Sequence, residues 1–239
     1  MNDFIVDSIE PVTLLGGGEA FTTDVAEALA IAPCCVAADG GGELARRAGV
    51  TLDAIIGDFD SISPETLALT AKDRRFHVSE QNSTDFDKAL RHIAAPVVVG
   101  VGFLGARLDH QLGALHVLVS RPDRACVLLG AHEIAFLCPP NIQINTVAGD
   151  VVSLFPFGPV AGTSTGLRWA LDGLAFDPMW QTGTSNEATG PLELTTNTPA
   201  MIVMLPRIYL ATVTQALVSA PQAARWPVRA ARYIDPTQS

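Results

Sequence analysis

The sequence predicts an α/β fold: a doubly wound, mostly parallel sheet domain followed by an all-β sandwich domain. Three observations carry this. Short apolar runs alternate with helical patterns through the first part of the chain, and several runs stop at glycine or aspartate. After Cys138-Pro139-Pro140 the helical patterns give way to β-rich segments at intervals of roughly ten residues, broken by Gly, Pro and Asn. A boundary is therefore expected near residue 140, with an α/β unit over 1–139 and a β-sandwich over 140–239.

The elements follow in order. Strands are expected at Val12–Leu15, Cys34–Ala38, Ala54–Ile56, Arg75–Val78, Val97–Val101 and Cys126–Leu129. Between them lie helical patterns from a Thr23 or Asp24 cap through Ala30, then at Leu44–Ala48, Pro64–Ala71, Thr84–Ile93 and Arg107–Val119. Beyond the boundary, strands are expected at Ile142–Thr146, Val151–Phe155, Leu167–Leu171, Leu192–Thr196 and Met201–Leu205, with a helix over Ile208–Val218. The remainder, Pro221–Ser239, shows no clear periodicity.

Composition narrows the function classes. The chain has 239 residues, 48% hydrophobic, enough for a substantial core. A formal net charge of -10 argues against a nucleic-acid partner, which needs clustered Lys and Arg. Cys34, Cys35, Cys126 and Cys138 have no C-x-x-C spacing and read as reduced core residues. No run is long enough to span a bilayer, and Met1–Glu10 resembles no export signal, so a cytoplasmic protein without membrane contact is expected.

Chemistry concentrates at the strand ends. Ala54-Ile55-Ile56 empties into Gly57-Asp58-Phe59-Asp60-Ser61. If strand geometry persists, Asp58 and Asp60 project from one face and Phe59 turns into the core. Two adjacent carboxylates repel unless a cation separates them, and Mg²⁺ suits such a pair; the alternative is a solvated Asp-rich turn. In Ser83–Lys88, Thr84 and Asp87 resemble a capping box, and Asp87 reads as that cap. Asp85 and Lys88 share a helix face, where they could hold a metal ion and a phosphate oxygen or form a simple surface pair. Arg107 offers a fork suited to phosphate, Asp109 adds a carboxylate, and His110 reads as a general base or a structural residue. Gly16-Gly17-Gly18 lacks the third glycine of a dinucleotide fingerprint and reads as a phosphate- or base-adjacent turn. Open α/β sheets bring such strand ends together along one edge.

Ala38-Asp39-Gly40-Gly41, Ile56 to Ser61, Asn82 to Leu90 and Gly105 to His110 stand in an order and spacing that resembles the thiamine pyrophosphokinases. Thr165 to Trp169 and Thr184 to Glu187 are similar to that family's thiamine-side motifs. The resemblance implies a nucleotide-binding catalytic domain over 1–139, a thiamine-binding β-sandwich, and a homodimer with active sites between subunits. It implies pyrophosphoryl transfer from ATP to the hydroxyl of thiamine, giving thiamine diphosphate and AMP. Asp58, Asp60 and Asp85 would work with Mg²⁺, or with Mn²⁺. Asp39, Arg107 and Asp109 would serve the phosphates and their metal. The implied nucleotide-binding set also includes Asn82, Ser83, Thr84, Lys88 and His110. Ser185 and Asn186 would line the thiamine pocket. Trp169 either stacks on thiamine or packs in the sandwich core. Ala106 departs from the family, which usually has a second glycine there.

A charge-neutralising site needs no P-loop, and no G-x-x-x-x-G-K-[ST] occurs in the chain. The competing readings are a metal-dependent nucleoside diphosphate-type hydrolase using the same aspartates and a non-catalytic nucleotide-binding regulator.

Overall fold

A computed structural model of the chain describes residues 4–80, 82–105, 107–183, 185–221 and 224–229. The first part alternates β1 (Val6–Asp7), β2 (Val12–Leu15), α1 (Thr22–Leu29), β3 (Cys34–Ala38), α2 (Gly41–Ala48), β4 (Ala54–Gly57), α3 (Pro64–Leu69), β5 (Arg75–His77), α4 (Asp85–Arg91), β6 (Ile93–Ala94), β7 (Val98–Val101), α5 (Leu108–Ser120) and β8 (Cys126–Leu129). A strand-rich region follows: β9 (Glu133–Leu137), β10 (Asn141–Ile144), β11 (Val151–Pro156), β12 (Val160–Leu167), β13 (Ala175–Phe176), β14 (Ser185–Thr196) and β15 (Met201–Pro206), closed by α6 (Leu210–Ser219).

The strands of the first part are parallel: β3 pairs with β4, β4 with β5, β2 with β7, and β7 with β8. A bond from Thr13 Oγ1 to the Ala32 carbonyl, 2.6 Å, ties β2 to the start of β3. The chain therefore winds outward from β2 through β3, β4 and β5, then returns to lay β7 and β8 on the other side. The reversal leaves a crevice outside the carboxyl ends of β2 and β7, where such sheets bind ligands.

Both faces of this sheet are covered. Along β2 and β3, Val12, Leu14, Val36 and Ala38 pack with Phe86 and Leu90 of α4 and Leu118 of α5. Leu15, Cys35 and Ala37 face the opposite way, against Val25 of α1 and Leu44 of α2. The two-residue period distributes one strand between two cores, which is why these runs read as continuously apolar.

The sheet is mixed. β8 turns back into β9 as an antiparallel hairpin, β9 pairs with β15, and β15 leads through β11 to β14, β12 and β13. Hydrogen bonding thus runs without a break from the parallel strands into the strand-rich region.

Several elements differ from expectation. α1 is capped through Asp24 at its third position, whose Oδ2 accepts from the Phe21 amide at 2.8 Å; neither Thr23 nor Asp24 is the cap itself. The strand expected over Leu167–Leu171 lies instead at β12, whose Thr, Ser and Gly residues carry no apolar alternation. β9 follows β8 after the short turn of residues 130–132, as the return arm of a hairpin, and no separate pattern marks it. Among the described residues of the C-terminal segment, Trp226 Nε1 donates to the Cys138 carbonyl at 2.8 Å and Arg229 donates to the carbonyls of Val119 and Pro199, so this stretch packs on its own chain. Among the described residues no helix is long and apolar enough to cross a membrane.

Phe136 in β9 is 0% exposed and packs where the hairpin meets β15. Phe136→Ala is expected to cost about 3–5 kcal/mol of stability in denaturant unfolding, because the cavity adds to the lost transfer energy.

Candidate active site

A cleft of about 960 Å³ opens at the switch point, between the glycine loops that follow β2 and β7. Gly102 adopts φ +80°, and a Cβ there would lie 2.7 Å from the Gly16 carbonyl oxygen. Gly18 N donates to the Gly102 carbonyl at 2.9 Å, so two backbones meet to form the floor. Thr84 and Asp85 at the start of α4 line the cleft, as do Arg107, Asp109 and His110 at the start of α5.

One carboxylate oxygen from each of Asp39, Asp58 and Asp60 lies within 4.8 Å of the other two. The convergence does not come from strand alternation. β4 ends at Gly57, and Phe59 takes φ 65°, a left-handed turn that swings Asp58 and Asp60 around it. Phe59 still packs toward the core, its ring 5.6 Å from that of His77. Gly57 permits the approach of β4 to Asp39, since a Cβ would lie 2.7 Å from the Asp39 Cβ. Asp39 itself sits at φ 37°, an unfavourable backbone conformation of the kind concentrated at functional sites.

The three carboxylates differ electrostatically. Asp39 is 0% exposed; Oδ2 accepts from Ser61 N at 3.3 Å, while Oδ1 is buried with no hydrogen-bond partner among the described residues. Burial pushes its pKa up to about 7, partly offset by the Ser61 amide and reinforced by Asp85 and Asp58. Asp58 Oδ2 accepts from Lys88 Nζ at 2.7 Å, and this bond holds its pKa down at about 2. Asp60 is exposed and accepts from Ser61 Oγ at 2.7 Å.

Lys88 is 2% exposed and also donates to Asp85 Oδ1 at 3.1 Å. Burial works against its charge, but the two ion pairs prevail and raise its pKa. Asp85 is thus engaged by Lys88 and stands outside the three-carboxylate group. Thr84 caps α4, accepting from Asp87 N at 3.2 Å. The Asp87 side chain does not complete the box: Arg121 Nε and Nη2 donate to it at 2.6 and 2.8 Å, joining α4 to the end of α5.

The remaining residues divide. Arg107 and Asp109 pair with each other through two bonds of 3.1 and 2.6 Å, largely in solvent at the mouth of the cleft. Asn82 and Ser83 do not line the cleft; Asn82 N and Ser83 Oγ donate to Glu80, which Arg91 also contacts at 2.6 Å. Trp169, Ser185 and Asn186 do not line it either. Asn186 clasps the Trp169 backbone, accepting from its N at 3.2 Å and donating to its O at 2.7 Å. Trp169 is 55% exposed with the Arg168 guanidinium over its ring, which excludes a core-packing role. Gln81, Ala106 and Thr184 lie outside the described residues.

Glu43 and Arg47 of α2 line the cleft and were not anticipated. Glu43 Oε1 accepts from both N and Oγ of Ser63 at 3.1 and 2.6 Å, tying α2 to the loop that carries Asp58 and Asp60. Only the four-residue spacing of Glu43 and Arg47, one helix face beside Asp39-Gly40, hinted at them.

Asp39 gives the site a pH signature. The folded, metal-free chain holds a proton up to about pH 7 that the unfolded chain releases near pH 4. Folding takes up that proton between the two values, so stability falls as pH rises across the interval. Asp39→Asn is expected to flatten this fall, the variant gaining on the parent protein from pH 4 to pH 8 when thermal unfolding is followed in EDTA.

Residues 25–128 match the family model described as thiamin pyrophosphokinase, catalytic domain. Thiamine pyrophosphokinase 3 of Oryza sativa subsp. japonica is 33% identical over 139 residues, 50% of this chain and 52% of that protein. Thiamine pyrophosphokinase 2 of Arabidopsis thaliana is 33% identical over 138 residues, again 50% and 52%. These matches span about half the length of the curated relatives. Among solved structures, thiamin pyrophosphokinase from Geobacillus thermodenitrificans superposes with TM-score 0.67 at 22% identity, over 82% of this chain and 97% of that one. The enzyme from Candida albicans gives 0.68 at 16% identity, over 86% and 97%. Residues 25–128 thus resemble a thiamin pyrophosphokinase catalytic domain in sequence, and the chain shares its fold with solved structures of that name.

Proposed function

We propose that the protein transfers a pyrophosphoryl group from ATP to the hydroxyl of thiamine, giving thiamine diphosphate and AMP. The observation that carries this reading is the convergence of Asp39, Asp58 and Asp60 beside a cleft at the sheet's switch point. Transfer at phosphorus needs charge neutralisation and in-line positioning more than covalent help from the protein.

The donor set suits a hard divalent cation. It is all carboxylate, and the buried Asp39 Oδ1 has no hydrogen-bond partner among the described residues, which leaves it open to a cation. Asp39, Asp58 and Asp60 would hold Mg²⁺, with Mn²⁺ as the alternative, and Asp85 would keep Lys88 against them. When bound, the ion neutralises polyphosphate oxygens. Lys88 makes Asp58 a fixed anion, a poor proton acceptor at a pKa of about 2. Asp60, exposed and with one oxygen engaged by Ser61, is therefore assigned to orient the thiamine hydroxyl. Arg107, with Asp109 behind it, and His110 would meet phosphates at the mouth; Thr84 would present the start of α4 to them, and Asn82 and Ser83 would shape that approach.

The strand-rich region is read as a β-sandwich domain over 140–239 that binds thiamine through Trp169, Ser185 and Asn186. Since none of these lines the cleft of its own chain, a homodimer is proposed in which each copy completes the other's site. A cytoplasmic location accords with this chemistry.

Incubation with ATP, Mg²⁺ and thiamine is expected to yield thiamine diphosphate and AMP in equal amounts, detected by chromatography. AMP release without thiamine would favour a hydrolase. Asp60→Asn is expected to lower kcat by at least about 10²-fold with unchanged folding. Mixing Asp60→Asn with Trp169→Ala, each impaired alone, is expected to give more activity than the sum of the two; no gain would argue against sites shared between copies.

A further inference from the structure

The cleft is short of positive charge for a polyphosphate. Its lining includes the acids Glu43, Asp85 and Asp109, while Lys88 is buried between Asp58 and Asp85 and does not reach the lining. Arg107 enters the cleft already paired with Asp109. Among the described residues, one fully charged side chain of the lining has no ion-pair partner: Arg47.

That isolation comes from its neighbours. Glu43 stands four residues before Arg47, the spacing at which an acid and a base on a helix pair. Its carboxylate is diverted, one oxygen to Ser63 N and Oγ and the other to Arg46 Nε at 3.1 Å. α2 therefore turns Glu43, Leu44 and Arg47 toward one cavity and leaves only the guanidinium unspent. A lone surface arginine would be unremarkable. Here it faces a cleft floored by the glycine loops after β2 and β7, where backbone allows close approach of a ligand.

We infer that Arg47 is a substrate-binding residue of this cleft, its planar fork gripping the terminal phosphates of a nucleoside triphosphate. The assignment rests on the ATP-dependent reading above and adds a residue from α2 to it. Arg107 on α5 and Arg47 on α2 then approach the polyphosphate from different elements. A monophosphate, lacking the terminal groups, is not held by Arg47.

Calorimetric titration of ATP, AMP and inorganic tripolyphosphate with Mg²⁺ into the full chain tests this without thiamine turnover. Arg47→Gln is expected to weaken ATP and tripolyphosphate on the order of tenfold or more, the loss typical of a charge-assisted hydrogen bond, and to change AMP less than about twofold. Arg47→Lys should fall between. The melting temperature should stay unchanged, since no ion pair is broken. Unchanged ATP affinity in Arg47→Gln, or equal weakening of ATP and AMP, would overturn the inference. If the parent protein binds ATP but makes no thiamine diphosphate, the proposed activity fails while Arg47 is still judged by these affinities. Failure of the parent protein to bind ATP or tripolyphosphate overturns both.

Discussion

Lys88 Nζ lies between Asp58 and Asp85 with almost no access to water, and the acidic edge of the sheet depends on it. Three carboxylates within 4.8 Å would repel strongly without compensation. The ammonium fixes Asp58 as an anion, while Asp39, whose Oδ1 has no hydrogen-bond partner among the described residues, is pushed up to about 7 chiefly by burial, with Asp85 and Asp58 adding to the shift. This crowding of carboxylates is of the kind that a divalent cation relieves. Breaking a buried pair of this kind leaves an uncompensated charge, so Lys88 serves both the fold and the site.

Backbone geometry makes this concentration of charge possible. The left-handed turn at Phe59, the positive φ of Asp39 and the bare Cα of Gly57 allow β3 and β4 to end within reach of one another. The ties that hold the geometry come from beyond the three carboxylates: Glu43 anchors the loop through Ser63, and Arg121 locks α4 to α5 through Asp87. The parallel winding then places this corner beside the crevice between β2 and β7.

Much of this was legible in the sequence. The apolar runs of β2, β3, β4 and β8 mark strands because both faces are buried, and Asp39, Asp58 and Asp60 stand at strand ends where such folds place ligands. The means of convergence was not legible, since left-handed φ at an aspartate or phenylalanine has no local pattern. Nor were the partners of Asp87 and Glu43, which lie 34 and 20 residues away and are chosen by packing. β12 escaped because its Thr, Ser and Gly residues carry no apolar alternation, and Arg47 because its meaning lies in what Glu43 does instead of pairing with it.

The central claim is that Asp39, Asp58 and Asp60 form one divalent-cation site. Mn²⁺ titration followed by electron paramagnetic resonance tests it most directly, on the parent protein and on the Asn variant at each position. One site per chain, weakened in all three variants while circular dichroism stays unchanged, is the predicted result. Undiminished Mn²⁺ binding in all three would contradict the account.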